Sequence, residues 1–91
     1  MDRAALYAEI HALGVRLGAE RVVLYGSRAR GDNRERSDVD IAVFGLAEQK
    51  QAAFLREIDE LPTLLEFDVV FASEGTSPEL LVNINRDGVV L

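Results

Sequence analysis

The chain has 91 residues, with 10 basic and 16 acidic side chains, a net charge of −6 and no cysteine. This length predicts a single domain, residues 1–91, that buries only about 60–65% of the surface of its unfolded chain. The acidic balance argues against general nucleic-acid binding, and the lack of a long apolar run argues against a membrane span, so we expect a soluble cytoplasmic protein.

The first predicted element is an amphipathic helix near the N-terminus. Gly18 is well placed to end this helix. The only histidine, His11, falls outside its apolar stripe and is expected at the surface. The stripe recurs at helical spacing and should face a sheet; it consists of Leu6, Ile10, Leu13 and Leu17.

A strand is predicted at Arg21–Tyr25, and it runs directly into a Gly26-Ser27 turn. Glycine allows a sharp turn and a close approach of the backbone to a ligand. Ser27 then opens a short helical segment, whose free backbone N–H groups and hydroxyl suit phosphate oxygens. We expect Gly26 and Ser27 to bind the phosphates of a nucleotide, and Tyr25 to pack in the core.

Arginines are concentrated just after this turn, at Arg28, Arg30, Arg34 and Arg36, whereas the chain has one lysine, Lys50. A planar guanidinium is suited to bidentate contact with phosphate or carboxylate. Arg28 and Arg30 are therefore predicted to contact the nucleotide. For Arg34 and Arg36, ion pairing with surface acids is an equally good interpretation.

Two aspartates separated by one residue, Asp38 and Asp40, lie at the start of the next predicted strand, Val39 to Phe44. Side chains alternate along a strand, so these two carboxylates should project from the same face. Two neighbouring carboxylates repel each other and are costly to bury unpaired, so a cation is expected between them. Magnesium prefers such oxygen ligands together with substrate phosphates.

A second long helix is predicted from about Glu48 to Glu60 and is closed by Pro62. A strand follows at Leu64–Phe71, in which alternation places Asp68 and Glu66 on the face opposite the apolar residues. Asp68 is the candidate third metal ligand. Two-ion nucleotidyl transfer uses ions about 4 Å apart, which calls for converging carboxylates. The apolar residues predicted for the helix are Phe54, Leu55, Ile58 and Leu61.

The last predicted helix begins at Ser77-Pro78 and ends near Gly88. Strands separated by helices predict an α/β (α+β) fold, with a small mixed β-sheet, helices packed on one face and the site on the other. Val82 and residues 89–91 are apolar beyond what a small core can bury, which favours association with another chain.

The quoted residues resemble the minimal nucleotidyltransferase family of the DNA polymerase beta-like superfamily. Four conditions are met together: the glycine-serine pair, the ten residues between Ser27 and Asp38, the single residue between the two aspartates, and a later aspartate on a strand. The resemblance covers essentially the whole chain. It implies a polymerase beta-like palm core and magnesium-dependent transfer of AMP from ATP, with two ions. Ser27 would then lie at the phosphates, and Asp38, Asp40 and Asp68 would be catalytic metal ligands.

The resemblance also implies a partner. Members of this family are typically paired with a small helical HEPN-domain toxin, which the nucleotidyltransferase neutralises as antitoxin, in some systems by adenylylating a tyrosine hydroxyl. A hetero-oligomer is therefore expected, and a homo-oligomer is possible on the same apolar surface.

Two other functions remain open: a non-catalytic antitoxin that neutralises its partner by forming a complex, and a nucleotide sensor that binds ATP without transfer. Three converging carboxylates favour the enzyme, because a binding-only protein has no physical need for their mutual repulsion. In the simplest alternative, Asp38 and Asp40 only make the end of a strand soluble. A P-loop is excluded by the lack of Gly-Lys-Ser/Thr, and an EF-hand by the lack of glycine at the sixth position of residues 32–37.

Overall fold

The computed structural model describes residues 1–73 and 75–91, in which helices and strands alternate. The α/β fold predicted from the sequence is confirmed. In chain order the elements are α1 (Arg3–Leu17), β1 (Arg21–Tyr25), α2 (Ser27–Arg30), β2 (Val39–Phe44), α3 (Glu48–Asp59), β3 (Phe67–Ala72), α4 (Pro78–Asp87) and β4 (Val89–Val90).

The four strands form one mixed sheet in the order β3-β2-β1-β4. β1 is antiparallel to both β2 and β4, whereas β2 and β3 are parallel. Parallel neighbours need a long crossover connection, and α3 supplies it between β2 and β3. Because β2 and β3 are parallel and Asp40 pairs with Asp68, the acidic ends of these two strands lie side by side.

The ends of α1 follow directly from its capping residues. Asp2 caps the N-terminus, its Oδ1 accepting a hydrogen bond of 2.7 Å from the Ala5 amide. Gly18 ends the helix in the left-handed conformation, at φ 91°, which costs glycine little. The predicted stop at Gly18 therefore has the expected structural cause.

One face of the sheet is covered by α1 and α3. Phe54 of α3 is fully buried, and its ring meets Phe71 of β3 edge to face, with centroids 5.9 Å apart. Leu55, predicted on the apolar side of this helix, is instead 45% exposed. The buried residues of this larger core are Leu6, Ile10, Leu13, Val22, Leu24, Val39, Ile41, Val43, Leu46, Phe54 and Ile58.

The opposite face of the sheet is partly covered by α4, which differs from the expectation that helices pack on one face only. Ile84 of α4 is 2% exposed and packs with Val23, Tyr25 and Ala42. The physical reason lies in β1, which is apolar on both faces and therefore needs cover on both. α4 consequently borders the face that carries the acidic residues.

β3 begins at Phe67, three residues later than the predicted start at Leu64. Leu64 is 95% exposed, and the pairing with β2 begins only where Val39 meets Phe67. Within the described residues, no helix is long and apolar enough to cross a membrane.

Candidate active site

A row of three side chains crosses the sheet where β1 and β2 meet β3. Tyr25 pairs with Asp40, and Asp40 pairs with Asp68. Residues that pair across neighbouring strands point to the same face. Alternation along each strand predicts that Asp40 and Asp68 lie opposite the apolar face, and the register shows that they are direct neighbours.

The pKa of Asp40 is raised above its ordinary value, first by burial of this half-buried carboxyl and then by the negative charges of Asp68 and Asp38. The positive charge of Arg30 acts in the opposite direction. The negative charges of Asp38 and Asp68 thus both act on Asp40, which is the repulsion that a bound cation would relieve. Asp38 and Asp68 are themselves exposed.

Because Gly26 has no side chain, the Asp40 carboxylate can occupy the space next to it. A Cβ atom at position 26 would lie 2.3 Å from Asp40 Oδ2, which is far inside contact distance. Its backbone, at φ 74° and ψ −155°, lies in a region open almost only to glycine. The Gly26-Ser27 turn and the Asp40 carboxylate are therefore in direct contact, although 13 residues separate Gly26 and Asp40 in the chain.

Ser27 begins α2, a single turn of four residues that ends at Gly31. The Ser27 carbonyl accepts hydrogen bonds from the amides of Gly31, at 2.9 Å, and Asp32, at 3.1 Å. In residues 1–73 and 75–91 the Ser27 hydroxyl makes no hydrogen bond, so it is available to a ligand. The predicted roles of Gly26 and Ser27 at phosphate remain predictions.

The two arginines predicted to contact the nucleotide are engaged within the protein. Arg28 donates hydrogen bonds to the backbone carbonyls of Glu35 and Ser37. Arg30 forms ion pairs of 3.0 Å with Asp32 and with Asp87 at the end of α4. Arg30 still acts on Asp40 by charge, whereas Arg28 is directed toward the loop before β2.

Tyr25 is a neighbour of the site that sequence reasoning assigned only to packing. It is 8% exposed and lies in the smaller core, so the packing prediction is confirmed. Burial, followed by the charges of Asp40 and Asp68, raises the pKa of its phenol. Its position immediately before Gly26 was the signal that could have identified it.

The carboxylate oxygens of the three aspartates suit magnesium, but these side chains do not form a preformed metal site. Among the described residues, no three Asp, Glu, His or Cys side chains form a group that could hold a metal ion. Asp40 and Asp68 are nevertheless direct neighbours in the pairing of β2 with β3. Because Asp38 and Asp68 are exposed, their side chains can change rotamer and converge on an ion. The residue types therefore fit the metal, and the ligand assignment remains a prediction.

Surface shape does not locate this site. A shallow groove with a volume of about 690 Å³ is lined by Met1, Glu35, Arg36 and residues 61–65, and it contains none of the three aspartates.

Comparison with known proteins identifies the family. Residues 13–91 match the family described as "Polymerase beta, Nucleotidyltransferase". The chain belongs to this nucleotidyltransferase family. Transfer of a nucleotide is accordingly the chemistry of the family to which this site belongs.

Two solved structures resemble this nucleotidyltransferase over most of its length. One is of a protein inferred to be a minimal nucleotidyltransferase: it is 32% identical, covers 100% of this chain and 97% of its own, and has a TM-score of 0.75. The other, a protein from Sulfolobus solfataricus also inferred to be a nucleotidyltransferase, is 26% identical, covers 94% of this chain and 76% of its own, and has a TM-score of 0.58. No curated protein matches the chain.

Proposed function

We propose that this nucleotidyltransferase is magnesium-dependent and transfers AMP from ATP to a hydroxyl group of a partner protein in the cytoplasm. The observation that carries the proposal is the direct pairing of Asp40 with Asp68 beside the Gly26-Ser27 turn. Two carboxylates opposed in a sheet are destabilising on their own. Their presence is understandable if the site is completed by a cation and a phosphate ligand.

The proposed reaction uses the Gly26-Ser27 turn and the three aspartates for different purposes. The acceptor oxygen bonds to the α-phosphorus of ATP, the bond to the bridging oxygen of the β-phosphate breaks, pyrophosphate leaves, and the acceptor loses its proton to solvent. Gly26 and Ser27 bind the phosphate oxygens, and Asp38, Asp40 and Asp68 hold the ions. When bound, magnesium supplies charge stabilisation at the phosphates and a lowered pKa at the acceptor hydroxyl.

Asp68 lies on an edge strand, so the acceptor can approach from the open side of β3. Asp40 lies on the interior strand β2, between the Gly26-Ser27 turn and Asp68. It would therefore be next to both the phosphates and the acceptor. We assign the acceptor as a HEPN-domain toxin and the acceptor group as a tyrosine hydroxyl. The chain would act as its antitoxin, an assignment that rests on the family resemblance.

A second function is favoured by one observation. In the part of the chain that the structure describes, the acids do not form a ready metal group. A non-catalytic antitoxin or nucleotide sensor, which neutralises its partner by forming a complex, needs no such group. The two functions differ in whether the partner becomes covalently labelled.

Labelling of the partner is therefore the direct test. With α-³²P-labelled ATP, magnesium and a co-purified HEPN-domain partner, we expect label on the partner, and none when EDTA replaces magnesium. Phosphoamino-acid and peptide analysis should locate AMP on a tyrosine. Label on an RNA 3′ end would contradict the protein acceptor, and a stable complex without label would favour the second function.

The partner surface gives a separate prediction. Val82 of α4 and Val90 of β4 are 60% and 64% exposed. Both belong to the C-terminal apolar residues that the sequence predicts to be in excess of the core. Val82→Arg combined with Val90→Arg should weaken co-purification of the partner, because a charge would be buried in an apolar contact. The melting temperature should change little, since both side chains are exposed.

Leu64→Arg is the matched control, because Leu64 is 95% exposed and lies in the loop before β3, the strand at the other edge of the sheet. It should leave the complex intact in analytical ultracentrifugation. Full retention of the partner by the Val82 and Val90 double variant would show that this surface is not the interface.

A further inference from the structure

The loop that carries Asp38, residues 31–38, is held in a defined turn, and we call it the aspartate loop. The Arg34 amide donates a hydrogen bond of 2.8 Å to Ser37 Oγ, and the Ser37 amide donates one of 3.1 Å to the Arg34 carbonyl. Asn33 Nδ2 also donates to the Arg34 carbonyl, at 3.0 Å. These bonds fix the turn internally, but none of them joins it to the rest of the domain.

The start of the loop is held by the bonds from the Gly31 and Asp32 amides to the Ser27 carbonyl, and the Arg28 guanidinium connects its far end, next to Asp38, to α2. Its Nε and Nη2 donate to the Ser37 carbonyl, at 3.0 and 2.8 Å, and Nη2 also donates to the Glu35 carbonyl, at 3.0 Å. The Ser37 carbonyl belongs to the peptide group whose N–H is that of Asp38. Since a peptide group is planar, holding its carbonyl also fixes the direction in which the chain enters Asp38.

The chemistry of these contacts favours arginine over lysine. A guanidinium presents its N–H donors in a rigid fork and can hold two carbonyl oxygens together, whereas the ammonium of lysine is a point charge on a flexible stem. Arg28 starts from α2, directly after the Gly26-Ser27 turn. One side chain therefore links the segment proposed to bind phosphate to the segment that carries a proposed metal ligand.

We infer that Arg28 is a positioning residue for Asp38, acting through the Ser37 carbonyl, and is not a contact of the nucleotide. The inference rests on the proposed function only in taking Asp38 as a metal ligand. It replaces the sequence-based expectation that the guanidinium of Arg28 reaches the phosphates. The contribution of Arg28 should accordingly depend on the presence of the Asp38 carboxylate.

A double-mutant cycle measured with Mn²⁺ tests this dependence. Mn²⁺ affinity is measured by electron paramagnetic resonance, without ATP, for wild type, Arg28→Ala, Asp38→Asn and the double variant. Arg28→Ala should weaken Mn²⁺ binding about tenfold, the size expected when a group that orients a ligand is removed. In the Asp38→Asn background the same change should weaken it no further. Arg28→Lys should fall between Arg28→Ala and wild type.

Arg36→Ala is the matched control, because Arg36 is an exposed arginine of the same loop and forms no ion pair or side-chain hydrogen bond among residues 1–73 and 75–91. It should leave Mn²⁺ affinity unchanged. Equal losses from Arg28→Ala in both backgrounds would overturn the inference, because Arg28 would then support the fold in general. An unchanged Mn²⁺ affinity with a raised KM for ATP would overturn it in favour of direct nucleotide contact.

Amide hydrogen exchange separates this inference from the proposed function. Arg28→Ala should speed exchange at the amides of Arg34 and Ser37 while leaving the amides of β2 at their wild-type rates. This readout needs neither metal nor ATP. A wild-type protein that transfers no AMP would contradict the proposed function alone, whereas unchanged exchange in the aspartate loop would contradict the role of Arg28.

Discussion

Asp40→Asn is expected to reduce nucleotide transfer by at least about a thousandfold, while the metal-free protein melts at or above the wild-type temperature. Loss of a central ligand removes several kcal/mol of charge stabilisation in the transition state, and each 1.36 kcal/mol corresponds to a factor of ten in rate. The fold does not need the charge, because Asp40 is half-buried among other acids and its pKa is raised by burial and by Asp68 and Asp38.

The stability gain should depend on pH in a defined direction. Because the pKa of Asp40 is higher in the folded than in the unfolded state, the folded protein binds this proton more tightly. Wild-type stability is therefore lost as the pH rises from the ordinary aspartate value, about 4, through the raised pKa. The Asn variant avoids this loss, so its advantage should be present at pH 7 and vanish toward pH 3.

Ligand-dependent melting completes this prediction. At a hundredfold excess over Kd, magnesium with ATP should stabilise wild type by about 2.7 kcal/mol, or about 10–20 °C for a domain of this size, and the variant much less. Asp59→Asn, an exposed change on α3 at the opposite face, controls for the altered net charge. Unfolding of metal-free Asp40→Asn, or equal ligand stabilisation of both proteins, would make Asp40 a structural residue.

Gly26→Ala should remove activity together with stability. An alanine would have to adopt φ 74° and ψ −155°, which costs about 1–3 kcal/mol, and its Cβ would overlap Asp40 Oδ2. The backbone cost alone corresponds to a fall of about 4 °C or more in melting temperature. Transfer should be lost because the Asp40 carboxylate has to leave its position.

Gly31→Ala separates these two effects. Gly31 also has a positive φ, 85°, but no atom lies within 4 Å of the place where its Cβ would be. The variant should lose about 1 kcal/mol of stability, measured by urea unfolding, yet retain transfer when assayed well below its melting temperature. If Gly26→Ala remains active, or if Gly31→Ala loses activity to the same extent, the contact between Gly26 and Asp40 is not what the site requires.

The sequence was most informative where periodicity and turn residues act locally. Alternation placed Asp40 and Asp68 on the faces observed, and Gly18 and Ser77 mark helix ends as expected from their capping chemistry. Such features depend on a few neighbouring residues, so they can be predicted without knowing the fold.

Features that depend on distant segments were missed. The position of α4 could not be inferred, because β1 is apolar on both faces and either face could have received Ile84. The guanidinium of Arg28 had two chemically similar destinations, phosphate oxygens or backbone carbonyls, and only the path of the aspartate loop selects between them. That Asp40 and Asp68 are direct neighbours likewise depends on the register that the α3 crossover produces.

The position of Asp68 also protects the alignment of the sheet. A slip of β3 by one residue along β2 would turn Asp68 toward the core under α3 and expose Phe67, Val69 and Phe71 to water. A carboxylate cannot be buried there unpaired without a large cost, so its charge excludes this misaligned fold. Replacing Asp68 with leucine or valine would remove this safeguard together with a proposed metal ligand. Asp68→Asn keeps a polar group on β3 and is therefore the substitution that isolates the chemistry.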